Sequence, residues 1–303
     1  TLTDTTLAAS VLNTLDGNTS GTINASTINT LTGTATELIT AYASSGISGL
    51  GNEAINVNSG SATTSQVNAL AADTSAVVTA TISDGDMATL AGLSETGNAY
   101  TITITDTSVA AAALNTLDGK TTVSINASII TTLTGSVADL NTAYAANGNG
   151  SISGLGNEAV TLSDTSVSAS VLNTLDGNTS GAINAVSINT LTGTAAEITT
   201  VYSSSGISGL GNEAVSVTGA EYTVAQLKAI NNATTGAIVL VVPSLDLTGT
   251  AADLVSAFAG TITTHTGDIT ITDIPTNEQL ALIDAATTGN IIYSTGDYTV
   301  SDS

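Results

Sequence analysis

Leu12-Asn13-Thr14-Leu15-Asp16-Gly17 returns as Leu114 to Gly119 and again as Leu172 to Gly177. This recurrence decides the fold, because a sequence that repeats at a fixed period builds its core by stacking like units. The match extends well beyond the six residues. Leu2 to Ala54 recurs as Leu162 to Ala214 without insertion, and more weakly onward, so that residues 1–77 correspond to 161–237. A third copy begins near Ile104, with small differences in length. Diverged units keep only the apolar spacing: Val67 and Leu70, Leu90 and Leu93, Leu227 and Ile230, Leu280 and Ile283.

Each unit leads into a β-like run about nine residues after its first apolar position. The runs include Val78 to Ile82, Tyr100 to Thr105, Val123 to Asn126, Val160 to Ser163, Ile238 to Val242 and Ile269 to Thr272. They recur at roughly 22 residues, with longer units of roughly 33 to 37, within the range of solenoid coils. Thr101-Ile102-Thr103-Ile104-Thr105 alternates strictly, giving one aliphatic and one Thr face. Stacking such runs predicts a parallel sheet with a Thr/Ser/Asn-rich outer face.

A second element explains the longer units. Thr34 precedes Glu37 by three residues, and Ser136/Asp139, Thr194/Glu197 and Thr250/Asp253 repeat the pattern. Ser or Thr followed by an acid at this spacing is a capping box, which satisfies free N–H groups at a helix start. Thr63/Gln66, Thr223/Gln226 and Thr276/Gln279 mark further starts. The expected architecture is an α/β solenoid with one short parallel strand and one short helix per coil. An all-β parallel β-helix is the alternative. Leu12, Leu15, Leu114, Leu117, Leu172 and Leu175 are the expected core, and residues 1–303 read as one continuous segment. Neither Thr1-Leu2-Thr3-Asp4 nor Tyr298 to Asp302 has the polar cap that closes a repeat array, so both ends read as uncapped and the chain as part of something longer.

The composition excludes several classes of partner. There are 25 acidic residues against two basic ones, a formal net charge of −23. Such a chain has no positive surface with which to neutralise phosphate, so nucleic acid and anionic membrane are excluded. No apolar run is long enough for a membrane helix. The absence of cysteine removes disulfides and thiol chemistry. With 3% aromatic residues and no Trp, the core must be thin and built from small aliphatics.

Candidate chemistry is sparse. His265, the only histidine, lacks a second His or a Cys with which to form a triad or zinc site, and is expected on a surface loop. The acids recur with the repeat: Asp4, Asp106 and Asp164 at strand ends, Asp16, Asp118 and Asp176 before glycines, and Glu53, Glu158 and Glu213 in Gly-Leu-Gly-Asn-Glu-Ala. An active site is a single asymmetric place, so periodic acids point to caps and turns, and the chain is expected not to be an enzyme. Calcium is the metal to weigh, with Asp4, Asp106, Asp164 and Asp273 as candidate ligands, although no EF-hand loop or glycine-dense calcium nonapeptide is present. No other cofactor is expected. Asn-X-Ser/Thr sequons, such as that at Asn24, are expected by chance in so Asn- and Thr-rich a chain. A flat Thr ladder could order ice, but here the outward positions vary.

The blocks Leu-Asn-Thr-Leu-Asp-Gly, Leu-Thr-Gly-Thr-Ala-(Ala/Thr)-Glu and Asn-Ala-Tyr-Thr-Ile-Thr-Ile-Thr-Asp resemble very large tandem-repeat surface proteins of cyanobacteria and other aquatic bacteria. The resemblance covers nearly the whole chain. It implies an extracellular or cell-surface address, a structural, adhesive or surface-layer role, and no catalytic residues. The partner so implied is the protein itself, laterally or head to tail. A surface polysaccharide or ice, bound on the Thr/Asn face, is the alternative.

Overall fold

The computed structural model describes residues 1–294. Short parallel strands alternate along the chain with short helices, an α/β repeat architecture. The helix in nearly every unit rules out the all-β alternative. The chain divides into two compact units, the first comprising Thr1–Leu133 and Thr142–Gly156, the second Thr134–Asn141 and Asn157 onward. The expected strand at Tyr298 to Asp302 lies outside the described residues.

In the first unit, Thr6–Ala8, Thr30–Gly33, Ala54–Val57, Val78–Thr81 and Ala99–Thr101 form a five-stranded parallel sheet. Thr6 lies opposite Thr30, Thr30 opposite Ala54, Ile55 opposite Val78 and Thr79 opposite Ala99. The offset between partners is thus 24 residues at the start and 20 at the last pair. A second seam pairs Ile23–Asn24 with Ile47–Ser48, and a third pairs Ile125–Asn126 with Ile152–Ser153. Because side chains alternate across a strand, the register stacks Leu31 on Ile55 on Val78 inside, all fully buried. Thr32, Asn56 and Thr79 form the corresponding outward row.

The second unit repeats the plan. Ser166–Ser168, Thr190–Gly193, Ala214–Val217 and Ile238–Leu240 form a four-stranded sheet, with Leu191, Val215 and Ile238 stacked within. Leu247–Gly249, Ile269–Ile271 and Ile291–Tyr293 form a three-stranded one, in which Leu247 faces Ile269 and Ile269 faces Ile291. The offset there is 22 residues.

Pairs of apolar residues three apart give each helix one apolar stripe. Leu12, Leu38, Leu70, Leu114, Leu172, Ile198, Leu227 and Leu254 are fully buried. Helices of this length are unstable alone, and burial of the stripe against the strands of their own repeat and the next helix supplies what propensity does not. Among the described pairings the strands lie 20 to 27 residues apart, rather than the 33 to 37 expected for the longer units. The difference comes from two-residue strands such as Ile23–Asn24 and Ile207–Ser208, too short to show alternation.

Leu15 departs from the expected core. Leu117 and Leu175 at the equivalent positions are buried, whereas Leu15 is 39% exposed. It lies on the helix Ala9–Gly17, in an open furrow with Ser10, Val11, Thr14 and Asn18.

Candidate functional site

The polar chemistry of this protein is concentrated at the seams between successive repeats. Hydroxyl groups of one repeat donate to main-chain carbonyls of the repeat before. Thr74 Oγ1 donates to the Glu53 oxygen at 2.6 Å, Thr179 to Glu158 at 3.1 Å, and Thr234 to Glu213 at 2.7 Å. Asparagines do the same between helices in the other direction. Asn13 Nδ2 donates to the Glu37 carbonyl at 2.9 Å, Asn68 to Gly92 at 2.7 Å, Asn173 to Glu197 at 3.0 Å and Asn231 to Ser256 at 2.8 Å. Asp16, Asp118 and Asp176 accept from the hydroxyls of Ser44, Ser151 and Ser204. These acids close the last turn of a helix onto the following repeat rather than standing in free turns.

The Gly-Leu-Gly-Asn-Glu-Ala block builds the most buried of these ties. Glu53, Glu158 and Glu213 are essentially inaccessible to solvent. A buried carboxylate is tolerable only when its oxygens are fully engaged. Glu53 accepts main-chain N–H bonds from Gly51 at 2.9 Å and Asn52 at 3.1 Å, together with the Tyr42 hydroxyl. Glu213 accepts from Gly211 at 2.7 Å, Asn212 at 3.1 Å and the Tyr202 hydroxyl. Burial, reinforced by the hydrogen bond to the carboxylate and its charge, pushes both phenols far above their ordinary value. Both therefore remain donors. Gly49 has a positive φ of 86°, and a Cβ there would meet the Ser26 nitrogen at 2.9 Å, so glycine is required where two repeats approach backbone to backbone.

The expected helix caps are in place. Thr34, Thr194 and Thr250 accept from the N–H of Glu37, Glu197 and Asp253, and Ser136 accepts from Asp139 at 3.1 Å. A further anchor went unrecognised in the sequence. Asp106, Asp164 and Asp273, weighed above as calcium ligands, each reach back to the first N–H of the helix one repeat earlier. Their acceptor distances to Met87, Val137 and Ala251 are all 2.7 Å, and Asp84 holds Thr64 in the same way. A carboxylate at a helix N-terminus is favoured by the helix dipole, which gives these aspartates a role that needs no metal. Asp4 stands exposed. Among the described residues no group of three or more His, Cys, Asp or Glu side chains is placed to hold a metal ion.

No family model, curated protein or solved structure matches the chain.

His265 lies elsewhere than expected. It is fully buried rather than on a surface loop, stacked on Phe258 with ring centroids 5.5 Å apart. Its main chain explains why: His265 N donates to the Ala286 carbonyl, and the Thr288 N–H donates to the His265 carbonyl, so the next repeat closes over the ring. Neither ring nitrogen has a hydrogen-bond partner. Burial holds the imidazole below its ordinary value, with the Asp246 charge acting the other way.

Among the described residues no helix is long and apolar enough to cross a membrane. The seam carboxylates are occupied by N–H and O–H donors and recur with the repeat. Their arrangement suits them to joining one repeat to the next.

Proposed function

We propose that this chain is a structural module of an extracellular or cell-surface assembly, such as a filament, sheath, surface layer or adhesin stalk. Its repeats would form an α/β solenoid that associates with further copies of itself through the same stacking surface. One observation carries the reading: the same ties recur in both units at a nearly constant interval. Thr74–Glu53 and Thr234–Glu213 are each 21 residues apart, and Asn13–Glu37 and Asn173–Glu197 are each 24. A seam built largely from main-chain acceptors, hydroxyls and small aliphatics fits any repeat to any other, as an extendable assembly needs. The surface address rests on the sequence resemblance to large bacterial tandem-repeat surface proteins and on the cysteine-free, acidic composition.

The glycan- or ice-binding alternative uses the outward Thr row. Against it, Thr192 in the second unit's outward row already donates to the Val167 carbonyl, as Ser48 and Ser208 on the two-residue strands do to Ile23 and Ile183. Negative-stain electron microscopy of the native material, with and without a calcium chelator, tests the proposal. Filaments or sheets that persist in chelator are expected. Dissolution only in chelator would make calcium the joint. Discrete short rods under both conditions would overturn the polymer and favour a binding module.

A further inference from the structure

Three departures from the repeat meet at one place in the first unit. The helix Met87–Leu90 has four residues, whereas the other helices have seven to thirteen. In the neighbouring helix Ala111–Asp118, Ala113 stands where the other two copies carry Val11 and Val171. Just beyond it, Lys120 stands where they carry Asn18 and Asn178. The shortened helix and the smaller side chain open a cavity of about 260 Å³ lined by Met87, Leu90, Ala91, Ala113, Leu117 and Lys120. It brings together the chain's single methionine and one of its two lysines.

The rim is fixed. Lys120 Nζ donates to the Ser94 carbonyl at 3.0 Å, and Asn68 holds that loop through Gly92 and Ser94. Among the described residues the one ion pair is Lys228 with Asp253, so Lys120 is a cation without a carboxylate partner in a chain of net charge −23. An ammonium has three donors, and the Ser94 carbonyl engages one. Small-molecule sites are concave, largely apolar, and carry a few placed polar groups. This notch has that character, and a flexible methionine suits its floor to an alkyl chain.

We propose that the notch binds a small unbranched alkyl carboxylate, with its tail on Met87, Leu90, Ala91, Ala113 and Leu117 and its carboxylate on Lys120. The cavity is at the small end of ligand sites, which favours a chain of octanoate size. The repeat supplies well-controlled variants: Lys120→Asn and Ala113→Val each install the residue that the other copies carry.

The test is titration of the whole chain with sodium octanoate, read from the NMR signal of the Met87 methyl group, with octan-1-ol as the uncharged control. A saturable shift is expected with octanoate. Lys120→Asn should weaken octanoate about threefold to fivefold, as for a partly exposed ion pair, and leave octanol unchanged. Ala113→Val should weaken both about tenfold, because it fills the floor. A Met87 signal that does not saturate in the millimolar range would overturn the proposal. So would equal weakening of octanoate and octanol by Lys120→Asn. A response to phosphatidylglycerol vesicles without one to octanoate would replace it with a lipid-surface contact.

Discussion

His265 should make the second unit sensitive to mild acid. Its imidazole is fully buried, neither nitrogen has a partner, and its value is depressed below the ordinary 6.5 chiefly by burial. A depressed folded-state value means that the unfolded chain takes up the proton more readily. The stability present above pH 6.5 is then lost as pH falls toward the folded-state value. For one proton the limiting slope is about 1.4 kcal/mol per pH unit. Between pH 7.5 and 5.5 the loss cannot exceed about 1.4 kcal/mol, a tenfold change in the local opening equilibrium. The charged neighbour identified near the ring, Asp246, opposes the shift and makes this figure an upper bound. Amide exchange at Thr288, whose N–H bonds the His265 carbonyl, reads the opening locally once corrected for the intrinsic pH dependence of exchange. His265→Phe should remove the slope while filling the same space beside Phe258. If wild type and His265→Phe keep a constant difference from pH 7.5 to 5.5, the ring titrates normally and the reasoning fails.

Other expectations concern the seams. Thr234→Val removes the donor to the Glu213 carbonyl and should cost about 1–2 kcal/mol, measured as a fall in the urea midpoint of that region. Tyr202→Phe takes a hydroxyl from a buried carboxylate and should cost about 2–3 kcal/mol; an unchanged midpoint would mean that water replaces the phenol. Leu175→Ala should cost about 2–5 kcal/mol, whereas Leu15→Ala, at an uncovered position, should cost about 1 kcal/mol or less. Thr250→Ala, which removes a cap, should cost about 1 kcal/mol. Each loss should remain near its own repeat, since a repeat touches chiefly its neighbours. One-step loss of every repeat on the Thr250→Ala change would contradict that.

What the sequence made legible was local. Thr34 with Glu37 and Thr276 with Gln279 can be read as capping boxes because both partners lie within one helical turn. Leu12 and Leu114 can be read as core because apolar spacing survives in a single strand of text. The Tyr42–Glu53 and Tyr202–Glu213 bonds span eleven residues, and the repetition of both residues at that interval was the available clue. Asp106 and Asp164 read as strand ends, and Asp273 only as a calcium candidate, because their partner helices lie one repeat away. His265 misled for the same reason. Thr263-Thr264-His265-Thr266 has the polarity of a loop, and only the repeat that folds over it makes it interior. The Lys120 notch required comparison among the copies together with the shortened helix.

The seam ties also bear on how the chain responds to ionic strength. Most of them join uncharged hydroxyls or amides to main-chain oxygens, and the described residues contain a single ion pair. At 0.1 M salt charges feel one another over about 10 Å, and at 1 M over about 3 Å. Added salt therefore screens the mutual repulsion of an acidic surface while leaving these uncharged joints untouched, and weakens the aspartates that sit on helix N-termini. Brine should firm this structure where it would loosen one fastened by ion pairs.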